Sequence, residues 1–157
     1  MCEKENVVEN TEDKVEEITI EPNAISRYKK REQAFILSFE TLFSDTDIDE
    51  LADNAVDSND EYLSDYAISC AKGILENSEV IDKHISDNLK KGWRISRISK
   101  VSYAVMRLAI YEMLFVDDVP VSVSINEAVE LAKKYSVPDE SSFVNGVLGS
   151  VAKSIDE

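Results

Sequence analysis

The chain reads as an all-α protein of about seven helices. Three observations predict this. Apolar residues recur three and four apart along most of the chain, and short segments rich in Asp, Asn, Ser or Pro separate those runs. No stretch alternates apolar and polar residues over a useful length except VPVSVS, residues 119–124, and its proline and an overlapping helix-start signature favour a loop there. No internal repeat stands out.

Residues 1–23, MCEKENVVENTEDKVEEITIEPN, hold eight acidic residues against Lys4 and Lys14, few large apolar groups and a Pro22 that closes the segment. They are read as a disordered or weakly ordered acidic tail, followed by one helical domain over 24–157. Helix one starts at Ser26, a residue suited to capping, and puts Phe35, Phe39 and Leu42 on one face with Ile36 and Phe43 beside them. A short, partly exposed helix is expected in DTDIDELADNAVDSND, where only Ile48, Leu51, Ala52 and Ala55 are apolar. The third stripe runs through Tyr62, Tyr66, Cys70, Gly73 or Ile74, and Asn77. Ser78 then reads as the cap of a fourth helix carrying Ile81, Ile85 and Leu89 and ending near Gly92.

The most hydrophobic element lies in KGWRISRISKVSYAVMRLAIYEML, which keeps almost no polar face after Arg107 and so belongs at the centre of a bundle. Asp117, Asp118 and Pro120 break it. Ser124 with Glu127 three residues on reads as a capping box, starting the sixth helix, INEAVELAKKY, near residue 124. Pro138 and Asp139 mark the last boundary, and Phe143, Val144, Val147, Leu148, Val151 and Ile155 form the final stripe. Gly146 and Gly149 sit inside it, where glycine costs helix stability, and close helix packing is the expected compensation.

A chain of 157 residues that is 43% hydrophobic can bury one substantial core without staples. Cys2 and Cys70 form no disulfide framework and no CxxC motif, and neither a signal-like leader nor a long apolar run is present, so a cytoplasmic location is expected. His84, the only histidine, has no Cys or second His placed to share a metal or a proton, and no phosphate-cradling glycine motif occurs. The chain is therefore read as not an enzyme, with no cofactor and no metal site.

Charge is the informative feature. The formal net charge is −15, and the acidic segment supplies 6 of those negative charges. Yet four of the six residues from Ser26 to Arg31 are Arg or Lys, in a first helical turn that disfavours cations. Between Lys83 and Arg107 there are seven Lys or Arg and only Asp87. Cations beside the N–H groups of a helix start offer a place for phosphate oxygens, and aromatic side chains stack on unpaired bases. Phe35 and Phe39 read as core more readily than as contacts, whereas Phe143, in the first turn of the last helix, suits either a bundle seal or a ligand.

Three blocks carry a resemblance. INEAVELAKKY followed by FVNGVL, then WRISRISKVSYAVMRLAIYEML, and KKREQAFILSFETLF are similar to the C-terminal, central and opening segments of the bacterial transcription antitermination factor NusB family. Together they span Ser26 to Lys153. The resemblance implies an all-α fold of two packed helical subbundles and a non-enzymatic role. Family members bind boxA RNA of ribosomal RNA leader transcripts together with the ribosomal protein NusE and promote read-through by RNA polymerase.

Carried onto this chain, the resemblance implies RNA contacts at Arg27, Lys29, Lys30, Arg31, Arg107, Asp139, Ser142 and Phe143, with Arg31 alternatively a structural ion-pair partner. It implies a NusE-facing surface at Phe39 and at Ser102, where the family's acidic residue is replaced by serine. Ser141 and Ser142 also replace residues that are often basic or amide-bearing in the family. The alternative is a helical protein-interaction adaptor of the same fold that does not bind RNA, its basic residues balancing the acidic segment.

Overall fold

The computed structural model describes residues 26–59 and 63–156, and every regular element among them is helical. In chain order these are α1 (Arg27–Glu40), α2 (Ile48–Asn59), α3 (Asp65–Glu76), α4 (Ser78–Asp87), α5 (Lys100–Phe115), α6 (Val121–Tyr135) and α7 (Pro138–Asp156), with a single 3-10 turn at Ile95–Arg97. The acidic segment, Cys2, Tyr62 and the side chain of Ala55 lie outside the described residues.

Serine hydroxyls start three of the helices. The Ser26 Oγ accepts the Lys29 N–H, Ser64 accepts that of Ala67 and Ser99 that of Ser102, each at 3.1 Å. Each bond satisfies one of the N–H groups that a helix start leaves without a partner. α5 is the central element, as its composition predicts. It packs on α1, α3, α4, α6 and α7, and its residues Ala104 to Ile110 are all buried. α1, α2 and α3 pack together on one side of it, while α6 and α7 pack on each other and α4 meets both α5 and α7.

Three local expectations change. α6 begins at Val121 with Pro120 in the capping position, so the last four residues of VPVSVS are helix and not loop. Ser124 is not a cap. It lies one turn inside α6, 1% exposed, and its hydroxyl donates to Glu112 at 3.1 Å, because a buried carboxylate from α5 competes for it. α4 is capped by Asn77 and not Ser78, and the Asn77 amide reaches back to the Gly73 carbonyl at 2.8 Å.

The third concerns glycine. Gly146 and Gly149 have nothing within 4 Å of where a Cβ would stand, so close packing does not explain them. The tight site is Gly73, where a methyl group would run into the Tyr111 ring of α5. Gly149→Ala is expected to raise stability by about 0.5–1 kcal/mol through helix propensity, while Gly73→Ala lowers it by about 1–3 kcal/mol through overpacking. Urea midpoints of the two variants check this, and equal shifts would contradict it.

Candidate nucleic-acid interface

The basic first turn of α1 divides on folding. Arg27 stays exposed and reaches Asp118, in the loop before α6, at 3.1 Å. Lys30 is half-exposed and forms no ion pair or hydrogen bond through its side chain among the described residues. The Lys29 ammonium lies 3.5 Å from Glu32. Arg31 turns inward: it is 3% exposed, and its Nε donates to both oxygens of Glu112, at 2.9 and 3.1 Å. Glu112 also accepts the Tyr66 hydroxyl at 2.5 Å and that of Ser124, while Glu127 stands 3.9 Å from the Arg31 guanidinium. Of the two roles considered for Arg31, the structural one fits this placement, since a phosphate would have to displace a buried carboxylate. The capping-box pair Ser124 and Glu127 is likewise drawn into this network. Tyr66 is pushed upward in pKa, first by burial and then by the neighbouring Cys70 and Glu112, and burial pushes the Cys70 thiol to about 12.

Beside this turn lies a second carboxylate. Glu32, 3% exposed, accepts Lys134 at 2.5 Å and the Tyr135 hydroxyl at 2.6 Å, both from the end of α6. Burial would raise the Glu32 carboxyl, but the Lys134 and Tyr135 hydrogen bonds and the charges of Lys134 and Lys29 outweigh it and hold the group below its ordinary value. The sign follows from linkage. A carboxyl depressed in the folded state contributes stability that is complete above its unfolded value of 4.5 and is lost as pH falls through the lower folded value. Glu32→Gln is therefore expected to lower the urea midpoint at neutral pH and to converge on the parent in acid. A gap that widened on acidification would contradict this.

Arg107 is also withdrawn. It is 5% exposed, sits 3.2 Å from Asp82 of α4, and lies 4.7 Å above the Tyr103 ring, whose hydroxyl donates to the same Asp82 at 2.7 Å. Burial, aided by that hydrogen bond, pushes the Tyr103 hydroxyl up to about 12. Arg107 thus joins α4 to α5.

The start of α7 is more open. Asp139 and Ser142 are exposed, and Phe143 is half-buried, its ring 6.0 Å from that of Trp93. Ser102 on α5 is fully buried, with its hydroxyl donating to Glu140 at 2.5 Å, and Ser99 donates to the same oxygen. The hydrogen bonds from Ser102 and Ser99 hold the Glu140 carboxyl below its ordinary value. The surface carboxylate over this position is therefore supplied by α7. Phe39 is half-buried between Phe35, 5.8 Å away, and Phe43, 5.0 Å away, and Phe43 is 63% exposed.

What sequence reasoning passed over is the loop from α4 to α5. Gly92, with φ +90°, turns the chain there and Ile98 anchors it in the core. Lys90, Lys91, Arg94, Arg97 and Lys100 are all exposed, and none of these side chains makes an ion pair or hydrogen bond among the described residues. Trp93, 51% exposed, projects from their midst. The charge count between Lys83 and Arg107 was the available signal; nothing in the string said which of those cations would find carboxylates.

Comparison with known proteins converges on one family. The NusB family pattern matches residues 23–153. A transcription antitermination protein NusB of Clostridium novyi is 39% identical over 134 residues, covering 83% of this chain and all of the relative. That of Acetivibrio thermocellus is 44% identical over 131 residues, covering 82% and 90%. Among solved structures, T. maritima NusB superposes with a TM-score of 0.73 at 37% identity, covering 82% of this chain and 92% of that one. A structure of antitermination factors NusB and NusE in complex with double-stranded RNA superposes with a TM-score of 0.71 at 27% identity, covering 83% and 99%. With the family pattern matched over residues 23–153 and relatives about 40% identical over most of their length, the chain belongs to the NusB family.

Proposed function

We propose that this chain is a transcription antitermination factor that binds boxA RNA of ribosomal RNA leader transcripts jointly with the ribosomal protein NusE, promotes read-through by RNA polymerase, and acts without catalysis in the cytoplasm. Family membership and the names of its relatives support the reading. One structural observation carries it: Arg27 and Lys30 stay at or near the surface at the start of α1, where helix N–H groups suit phosphate oxygens, and Asp139, Ser142 and Phe143 stay at or near the surface in the first two turns of α7. Among the described residues no helix is long and apolar enough to cross a membrane. For the NusE-facing surface, the support is the Phe39–Phe43 pair with its exposed outer ring, and the Glu140 carboxylate held over Ser102, which restores a negative charge from a different helix.

The adaptor reading has its own support, because Arg31, Arg107 and Arg27 all meet carboxylates within the fold. A titration of labelled boxA RNA into the full chain, with and without NusE, separates the two. RNA binding that strengthens with NusE, and falls at least about tenfold on Lys30→Glu with NusE binding intact, is the expected result. NusE binding with no RNA bound by the parent chain would establish the adaptor instead.

A further inference from the structure

The α4–α5 loop offers what an RNA strand requires and what the first turn of α1 largely lacks. Five exposed cations fall within the eleven residues from Lys90 to Lys100, with no acidic residue among them, in a chain of net charge −15. They surround Trp93, which stands at the mouth of a cleft of about 470 Å³ walled by Phe143 and Lys90 and lined along α7 by Ser142, Gly146 and Ser150. Those small residues, one turn apart, leave a shallow floor, and the space over Gly146 is open. This gives the glycine a role that close packing did not.

The Trp93 and Phe143 ring centroids are 6.0 Å apart and tilted by 35°. That gap is shorter than the roughly 7 Å a third ring would need between two others, taking the 3.4 Å rise of stacked bases. An added ring therefore stacks on the exposed outer face of Trp93, backed by Phe143. The charge selects the occupant: Asp139 and Glu140 line the neighbouring cleft with Trp93 and Arg97, but the five loop cations form no ion pair among the described residues, and with a half-exposed indole they match a single-stranded nucleic acid, whose phosphates alternate with flat apolar bases.

We propose that Trp93 is a base-stacking residue and that the Lys90–Lys100 loop is a second RNA-binding element, carrying the strand past Phe143 with phosphates on Lys90, Lys91 and Arg94. The proposal rests on the RNA-binding reading above and extends it to residues to which the family resemblance assigned no RNA contact.

Trp93 is the only tryptophan, so its emission reports on this site alone. Labelled single-stranded boxA RNA is titrated into the full chain with NusE present, reading anisotropy and tryptophan emission together, with a tryptophan-free NusE variant keeping the signal specific. The expected result is quenching that saturates with binding. Trp93→Leu should weaken binding about tenfold, within the range base stacking on an aromatic supplies, while Trp93→Phe keeps most of the affinity. Lys90→Glu with Lys91→Glu should make the slope of log K against log salt shallower by about 1.4, two single-strand phosphate contacts. RNA binding with unchanged emission and an indifferent Trp93→Leu variant would overturn the proposal while leaving RNA binding through α1 and α7 intact. Emission that responds to NusE and not to RNA would overturn it in favour of a protein occupant. No RNA bound by the parent chain under either condition would remove both this proposal and the function it rests on.

Discussion

Glu112→Gln is expected to lower the unfolding free energy by roughly 3–5 kcal/mol, the cost of removing one partner from a buried ion pair. Glu112 is fully buried and accepts three different donors: the Arg31 guanidinium from α1, the Tyr66 hydroxyl from α3 and the Ser124 hydroxyl from α6. One α5 carboxylate thus ties three other helices to the central one. Glutamine keeps the volume but not the charge, so Arg31 is left with Glu127, 3.9 Å away, as its remaining counter-charge in an apolar interior, and the new amide N–H₂ faces donors. A domain of this size has about 5–15 kcal/mol in total, so the variant sits near the edge of folding. Urea unfolding followed by circular dichroism measures the loss. Arg31→Met should cost a comparable amount, and the double variant less than the sum, because the two changes remove the same interaction. A loss below about 1 kcal/mol in either single variant would show that water or another group replaces the partner.

RNA affinity is expected to fall about a hundredfold between 50 and 200 mM salt. For single strands the slope of log K against log salt is about −0.7 per neutralised phosphate, so five contacts give about −3.5 over a fourfold change in salt. The prediction is steep because the protein as a whole repels RNA: with a net charge of −15, affinity must come from a local patch, and a local patch acts through counter-ion release. Titrations of boxA RNA at several salt concentrations, with NusE held in excess, test it. Affinity unchanged across that range would remove the phosphate contacts and with them the role given to Lys30 and to the α4–α5 loop.

Helix number, order and the centrality of α5 were legible because they depend on apolar periodicity, which is local and repeated over many residues. The Ser26 cap was legible for the same reason, since it involves neighbours three apart. The start of α6 was misread because Ser124 and Glu127 have the spacing of a capping box, and only their use by Glu112 and Arg31 reveals that they face the core. Close packing was expected at Gly146 and Gly149 and is found instead at Gly73, since a glycine's reason for being there is set by what stands opposite, here open space or the Tyr111 ring.

The candidate site shows the same division. Sequence alone determined that the chain is helical, that its positive charge is clustered within an acidic whole, and that its opening, central and final blocks resemble one family. It did not determine which cations are available, because Arg31 and Arg107 look like Lys90 and Arg94 until their partners are known. Tertiary structure decided that by bringing Glu112 and Asp82, 81 and 25 residues away from the arginines they hold, into hydrogen-bond range. A long-range carboxylate turns an apparent ligand-binding cation into part of the core, while a loop that meets no carboxylate keeps its charge for solvent and for whatever anion arrives.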